Sequence, residues 1–271
     1  SLFLSMSSPH AQLIIKMIMC IDTIVNHDLL KINQSIQLKE QHHKWYSNNL
    51  GKELDMLVFG HSGYPVIIFP TTMGSYYEAK DFKLIESARW FVEQGMVQLF
   101  CPDSINDMSW YNKGIHPAQK VQNHNWYDKA ILEELVESIR WNTPAGKVAV
   151  AGCSFGGYHA ANFAFRHPEV VSHMISMSGA FDIKSFMDGH YDDNVYFNNP
   201  VDFMHNADNP ALWNMKIILG TSEWDICRPS NQEMSNILNK KGIQHWYDER
   251  GWQEHDWPLW REMFPHYLSV M

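Results

Sequence analysis

A serine stands between two glycines in the segment Gly152-Cys-Ser-Phe-Gly156, and its hydroxyl is the strongest candidate nucleophile in the chain. Residues 147–151 before it fit a strand buried on both faces, and residues 158–165 after it fit a helix. A strand-to-helix turn of this kind holds the hydroxyl of Ser154 clear of the sheet, where it can attack a carbonyl carbon. The pentapeptide alone also fits an ordinary tight turn, so the choice between the two interpretations depends on whether the serine has catalytic partners.

A serine nucleophile needs a general base, and the base needs a carboxylate that fixes its tautomer. In α/β sheets that carry such a turn, the acid and then the histidine follow the serine along the chain. Asp225 comes just after the predicted strand 216–220, and His255 just after the predicted strand 244–247. Because the carboxyl ends of parallel strands share one edge of a sheet, we expect Ser154, Asp225 and His255 to meet there as catalytic residues.

Both partners have alternatives. Glu223 could be the acid, but we favour Asp225, which lies four residues before Pro229 at the predicted start of the next helix. His255 could be an ordinary surface or helix-capping residue, with Asp256 as the cap. Its position between the last predicted strand and the last predicted helix favours a role as the base.

An acyl-transfer site also needs donors for the oxyanion, usually two backbone N–H groups. The residue after the nucleophile, Phe155, should supply one of them. The other should come from the loop 71–75 behind an earlier strand, with Thr72 as the preferred residue and Met73 as the alternative. The same loop could also be a simple Gly-Ser turn.

The elements that must position these residues alternate along the chain, which predicts an α/β protein with a mostly parallel central sheet and helices on both faces. The predicted strands cover residues 37–46, 53–60, 64–70, 96–101, 148–151, 170–177, 216–220 and 244–247. The predicted helices cover residues 82–94, 128–141, the segment after Ser154, 231–241 and 257–270.

The length and composition of the chain indicate how it is divided into domains. A chain of 271 residues with 45% hydrophobic content suits one large domain, which we place at residues 37–271 with a short cap or loop region at 180–212. Residues 1–36 should form an N-terminal extension packing on that domain. Their apolar stretch is interrupted by Lys16 and Asp22, so we expect a helix rather than a secretory leader and take a cytoplasmic location as the default.

Charge and motifs exclude several kinds of partner. A net charge of −9 with no basic cluster argues against nucleic-acid binding, and no apolar run is long enough to span a membrane. The four cysteines are scattered and form no C-x-x-C pair, and no H-E-x-x-H sequence occurs. We therefore expect no metal and no cofactor. A homo-oligomer is possible.

Five segments in order carry a resemblance to a known family: Ser47-x-x-Leu-Gly51, residues 66–75, Gly152-Cys-Ser-Phe-Gly156, residues 220–225 and residues 251–257. Together they resemble the putative-esterase family of α/β hydrolases, which includes S-formylglutathione hydrolases, feruloyl esterases and mycolyltransferases, and most of all a bacterial branch of it. The resemblance implies the α/β-hydrolase fold, a Ser–His–Asp triad and ester hydrolysis without a metal. It covers the chain from about residue 37 onward, and residues 1–36 match nothing in the family.

Aromatic residues precede the helix predicted at 128–141 and should flank the site. We expect Trp110, Tyr111 and His124 to bind substrate, because an aromatic mouth suits acyl or aryl esters. The alternative is that these rings only cover the sheet. The predicted function is that of a serine esterase that hydrolyses small-molecule carboxylic esters through an acyl-enzyme. The alternatives are an acyltransferase with the same intermediate and a non-catalytic binding module on a hydrolase fold.

Overall fold

The computed structural model describes residues 38–271, and the extension predicted at 1–36 lies outside the described residues. The described part of the chain is built around one sheet of eight strands. They are β1 (Glu40–Ser47), β2 (Lys52–Phe59), β3 (Tyr64–Phe69), β4 (Val97–Pro102), β5 (Val148–Cys153), β6 (Val171–Met177), β7 (Lys216–Trp224) and β8 (Trp246–Glu254).

The strands lie in the order β1-β2-β4-β3-β5-β6-β7-β8. β1 pairs antiparallel with β2, and β2 pairs antiparallel with β4, whereas all pairs from β4 to β8 are parallel. β5 is buried along its whole length at the centre of the sheet, which explains its continuous run of small apolar residues. The carboxyl ends of β3, β5, β7 and β8 therefore open onto the same edge.

Helices join the strands and pack on both faces of the sheet, which confirms the predicted α/β class. The α-helices are α1 (Glu78–Asp81), α2 (Leu84–Ser87), α3 (Arg89–Glu93), α4 (Pro117–Lys129), α5 (Glu137–Asn142), α6 (Phe155–Arg166), α7 (Asp193–Tyr196), α8 (Pro200–Phe203), α9 (Arg228–Lys240) and α10 (Trp257–Leu268). A π-helix over Ala130–Val136 joins α4 to α5, and 3₁₀ turns cover Lys184–Phe186 and Pro210–Asn214. Within residues 38–271, no helix combines the length and the apolar character needed to cross a bilayer.

Several elements differ from the sequence-based expectations. The helix expected at 82–94 is two short helices, α2 and α3, because Lys83 before α2 adopts a left-handed backbone with φ 63° and Ala88 between them is non-helical. The helix expected from residue 128 begins at Pro117, where His116 accepts a capping hydrogen bond from Ala118 N–H. β8 extends through Glu254 rather than ending at residue 247.

The segment 180–212 folds into short turns and the helices α7 and α8, which pack against α4, α6 and α9. A small apolar cluster lies under the edge where β5 meets α6. Its members are Trp110, Val121, Phe155, Tyr158, Ile183, Met187 and Val195, with Tyr111 and Phe186 packed against it. This cluster joins the segment 180–212 to the start of α6 and supports the turn that carries Ser154.

Candidate active site

Ser154 occupies the turn between the last residue of β5 and the first residue of α6. Its backbone angles are φ 54° and ψ −120°, a region that non-glycine residues rarely adopt. The N–H of Ser154 donates to the carbonyl of Met177 on the neighbouring strand at 2.8 Å, which holds the strained residue in place. Strain retained at a serine on a strand-to-helix turn is typical of a nucleophile whose hydroxyl must stand free.

The two glycines around Ser154 are required by close backbone contacts. A Cβ on Gly152 would lie 2.1 Å from the carbonyl oxygen of Gly156. A Cβ on Gly156 would lie 2.3 Å from the carbonyl oxygen of Phe69, at the end of β3. The glycines thus let β5, α6 and the loop after β3 approach one another closely, and this brings the start of α6 beside residues 70–75.

A hydrogen-bonded chain joins Ser154 to two residues at the ends of other strands. His255 Nε2 lies 2.9 Å from Ser154 Oγ, and His255 Nδ1 lies 2.7 Å from Asp225 Oδ1. Because an ionised carboxylate can only accept, Nδ1 carries the proton and Nε2 accepts from the serine hydroxyl. This is the arrangement in which an imidazole can take the proton of an attacking hydroxyl.

Asp225 is buried and fully hydrogen bonded. Oδ1 accepts from the backbone N–H of Cys227 at 2.8 Å, and Oδ2 accepts from the hydroxyl of Thr221 at 3.1 Å. Burial disfavours its charge, but hydrogen bonds from His255, Ser178 and Cys227 outweigh this and hold the pKa of Asp225 below its ordinary value of 3.8. The carboxylate is therefore ionised throughout the neutral range and can stabilise an imidazolium.

Ser178 and Trp260 extend this chain behind Asp225. The indole N–H of Trp260 donates to Ser178 Oγ at 2.9 Å, and the Trp260 ring meets the His255 ring edge-on with centroids 5.1 Å apart. Both side chains are buried. Sequence reasoning did not find either of them, because Trp260 follows His255 by five residues and this spacing does not place two side chains on one face of a helix.

The two candidate acids differ in exposure. Asp225 is buried and directed at His255, whereas Glu223 is exposed on the last residues of β7. The structure therefore places Asp225, and not Glu223, against the histidine.

The loop after β3 is tied down by side chains on both sides. The carboxylate of Glu78 accepts from the backbone N–H of Thr71 at 2.8 Å and from the Thr71 hydroxyl at 2.6 Å. From the other side, Ser104 Oγ donates to the carbonyl of Gly74 at 2.7 Å, and Asn106 Nδ2 donates to the carbonyl of Thr71 at 3.4 Å. Burial raises the pKa of Glu78 above its ordinary value, despite these two hydrogen bonds from Thr71.

Thr72 and Met73 form the corner of this loop, which is closed by a hydrogen bond from Gly74 N–H to the carbonyl of Thr71. Met73 has a left-handed backbone with φ 54°. Phe155 is the first residue of α6, where backbone N–H groups have no partner within the helix and can point at an anion. Glu78 was not found by sequence reasoning, because a glutamate seven residues beyond Thr71 gives no local signal.

Of the three residues expected to bind substrate, only Tyr111 lies at the surface of the site. Its hydroxyl is 3.0 Å from Thr72 Oγ1, and its ring packs edge-on against Phe155. Trp110 is 1% exposed and His124 is 3% exposed, so neither can contact a substrate directly. Both side chains pack beneath the site instead. This agrees with the alternative interpretation, in which these rings only cover the sheet.

The reason for this burial is the early start of α4. Because the helix begins at Pro117, His124 lies on its inward face, where Asn162 Nδ2 is 3.1 Å from His124 Nε2. Burial lowers the pKa of His124 well below its ordinary value, which keeps the ring neutral. The Trp110 ring packs against this histidine at an interplanar angle of 42°, with ring centroids 4.9 Å apart.

Among residues 38–271, one group of metal-ligand types has all its ligand atoms within 4.8 Å of one another, namely Asp225, Cys227 and His255. The donor set does not fit a resident metal. Asp225 Oδ1 and His255 Nδ1 are bonded to each other, and burial raises the pKa of the Cys227 thiol to about 12. The thiol thus stays protonated at neutral pH, whereas a metal needs the thiolate.

Comparisons with known proteins agree with this architecture. A sequence model of a family described as putative esterase matches residues 51–270. No curated protein sequence matches the chain.

Similar solved structures include a ferulic acid esterase, with 16% identity, a TM-score of 0.69, and coverage of 86% of this chain and 98% of that one. An S-formylglutathione hydrolase from Staphylococcus aureus has 14% identity and a TM-score of 0.68, over 86% of this chain and 98% of that one. An S-formylglutathione hydrolase from Agrobacterium tumefaciens has 14% identity and a TM-score of 0.69, over 86% and 94% of the two chains. At these identities the likeness establishes a shared α/β-hydrolase fold.

Proposed function

Because the chain belongs to the putative esterase family, we propose that it is a serine esterase that hydrolyses small-molecule carboxylic esters through an acyl-enzyme. The observation that carries this proposal is the hydrogen-bonded chain from Ser154 Oγ through His255 to Asp225, with heavy-atom distances of 2.9 and 2.7 Å. It lies at the edge of the sheet where ligands of open α/β folds bind.

In the first half of the reaction, Ser154 Oγ attacks the ester carbonyl carbon while His255 Nε2 takes the hydroxyl proton. The carbonyl double bond opens, and its electron pair moves to the oxygen. The N–H groups of Phe155 and Thr72 are the proposed donors to that oxyanion. Asp225 keeps the imidazole in the reactive tautomer and stabilises the imidazolium.

In the second part, the intermediate collapses and the bond to the leaving oxygen breaks. His255 gives its proton to this oxygen, the alcohol departs, and Ser154 remains acylated. A water molecule then gives a proton to His255 and attacks the acyl carbon. Collapse of the second intermediate releases the carboxylic acid and returns the proton to Ser154 Oγ.

Labelling with a fluorophosphonate probe tests the nucleophile, and release of p-nitrophenol from p-nitrophenyl acetate tests the reaction. The unmodified protein should carry the probe on the peptide that contains Ser154. Ser154→Ala should abolish labelling and lower kcat/KM by at least about 10⁴-fold, since removal of a triad member has effects of this size. Ser138→Ala, which removes an exposed serine on α5, is the matched control and should behave as the unmodified protein. Equal labelling and equal turnover in Ser154→Ala and the control would refute the proposal.

A further inference from the structure

A surface cavity adjoins the candidate base on the side of β7 and β8. It has a volume of about 420 Å³ and is lined by Trp224, Ile226, Glu254 and His255. His255 is therefore shared between the hydrogen-bonded chain to Ser154 and the wall of this cavity. None of the other lining residues was identified from the sequence.

The cavity is bordered by large apolar side chains that are exposed. Trp224 is 56% exposed, Ile226 is 79% exposed, and the neighbouring Trp252 is 71% exposed. The rings of Trp224 and Trp252 meet edge-on at 82° with centroids 5.4 Å apart. Apolar side chains grouped in this way on a surface are typical of a binding site, whereas single exposed ones need no explanation.

The backbone of β8 is distorted at the point where it presents Trp252. In the pairing with β7, Ser222 faces Arg250 and Trp224 faces Glu254, so β8 has two residues more than β7 over this stretch. Trp252 lies in the bulged part with φ 62°, a left-handed conformation that is unfavourable for a bulky residue. Ser222 Oγ donates to the carbonyl of Gln253 and ties the bulge to β7. Bulges beside active sites re-aim side chains, and this one turns Trp252 toward Trp224.

The chemistry of the proposed reaction indicates which part of the ester occupies this cavity. His255 gives its proton to the leaving oxygen, so the group attached to that oxygen must pass next to the imidazole. We infer that the cavity, with Trp224, Ile226 and Trp252, is the subsite for the leaving alcohol, and that it takes a flat, apolar alcohol such as an arylalkyl alcohol. This inference rests on the proposed esterase function and names the class of ester that the site prefers.

The charges around the cavity further restrict the class of alcohol that it takes. Glu254 lines it, Glu223 is exposed at the end of the same strand as Trp224, and the chain as a whole has a net charge of −9. Like charges repel an anionic ligand, even though solvent screens exposed groups. The preferred leaving group is therefore uncharged, and one that carries carboxylates is disfavoured.

The test is a series of acetate esters with the same acyl group and alcohols of similar acidity: ethyl acetate, 2-phenylethyl acetate, 2-(2-naphthyl)ethyl acetate and 4-(2-acetoxyethyl)benzoate. In the unmodified protein, kcat/KM should rise by about 10-fold or more from the ethyl to the naphthylethyl ester, as expected when one aromatic group packs on another. The benzoate should be hydrolysed more slowly than its uncharged phenyl analogue.

Variants then assign the preference to the two tryptophans. Trp224→Ala and Trp252→Ala should each reduce the ratio of naphthylethyl to ethyl ester hydrolysis several-fold. Trp141→Ala is the matched control, because it removes an indole that is 89% exposed on α5, and it should keep the ratio of the unmodified protein. The alcohol 2-(2-naphthyl)ethanol should also inhibit the unmodified protein more strongly than ethanol, which tests the subsite without any variant.

The outcomes separate the two proposals. If the protein hydrolyses none of the esters in the series, the esterase function itself is overturned. Hydrolysis with no preference for the aryl esters, or a preference that survives in both tryptophan variants, would overturn the subsite alone. If the tryptophans instead cover a second copy of the chain, their loss would change the sedimentation coefficient and leave the ester ratio unchanged, which also overturns the subsite.

Discussion

The two sides of Ser154 are built in different ways. On one side, the loop after β3 is held by the carboxylate of Glu78 and by Ser104, and the turn that carries Ser154 is supported by a buried apolar cluster. On the other side, the ends of β7 and β8 present Trp224 and Trp252 to solvent. We call these the anchored side and the exposed side. On the anchored side, the side chains that fix the geometry of the site point into the protein. On the exposed side, the side chains that can contact a ligand point into solvent.

The contrast is physically reasonable. An oxyanion site depends on donors that are fixed before the reaction, so its loop needs many hydrogen bonds and no freedom. A leaving-group site only has to bring apolar surface together, so it needs area rather than fixed donors. The same residue type thus has opposite roles on the two sides: Trp110 supports the fold, and Trp252 is proposed to meet substrate.

The largest effect should come from Asp225, one of two acids near the carboxyl end of β7. Asp225→Asn should lower kcat by about 10⁴-fold, because an amide at this position favours the wrong tautomer of His255. Glu223→Gln is exposed and should change kcat less than about twofold. Steady-state kinetics with p-nitrophenyl acetate measures both. If Glu223→Gln loses more kcat than Asp225→Asn, then Glu223 and not Asp225 is the acid that acts on His255.

The next effect concerns stability. Trp110→Ala should reduce the free energy of unfolding by about 3–5 kcal/mol, because it removes a buried ring and leaves a cavity. Trp252→Ala should change it by less than about 0.5 kcal/mol, since this side chain is exposed and its backbone is strained. Urea unfolding followed by circular dichroism gives both values. Similar losses in the two variants would remove the distinction between the anchored and the exposed side.

A smaller effect is expected at Glu78. Glu78→Leu should lower kcat by about 10–100-fold with little change in KM, because the loop that carries Thr72 loses two hydrogen bonds and shifts. Glu78→Gln should recover most of this activity. An amide can accept from Thr71 N–H and donate to the Thr71 hydroxyl, and the raised pKa of Glu78 indicates that the site tolerates a neutral group.

The same kinetics with p-nitrophenyl acetate, together with thermal melting of both variants, would distinguish positioning from folding. If Glu78→Gln is as slow as Glu78→Leu while both melt normally, the charge of Glu78 matters rather than its hydrogen bonds. A parallel fall in melting temperature and activity would instead assign Glu78 a purely structural role.

The sequence predicted the fold because its strands and helices alternate with strong local patterns, and β5 is an uninterrupted apolar run. It also named the three residues that lie within hydrogen-bond distance in the structure, Ser154, Asp225 and His255, since each comes a few residues after a predicted strand. Positions at strand ends are set by topology, and topology can be read from the order of elements.

Other features depend on contacts that no local pattern reports. The inward position of His124 follows from a helix start at Pro117, eleven residues earlier than expected. Trp252 faces Trp224 only because β8 contains a bulge, and a bulge is a matter of register between two strands. Glu78 reaches Thr71 across a turn. In each case the deciding information lies in the pairing of segments rather than in either segment.

The bulge in β8 has a further effect, because β8 is the last strand of the described sheet. A straight outer strand offers a regular row of unpaired backbone groups to which a foreign strand can add, and this is a common route to aggregation. The irregular spacing between Arg250 and Glu254 interrupts that row. The distortion that turns an indole toward the site therefore also makes this border of the molecule a poor template for uncontrolled polymerisation.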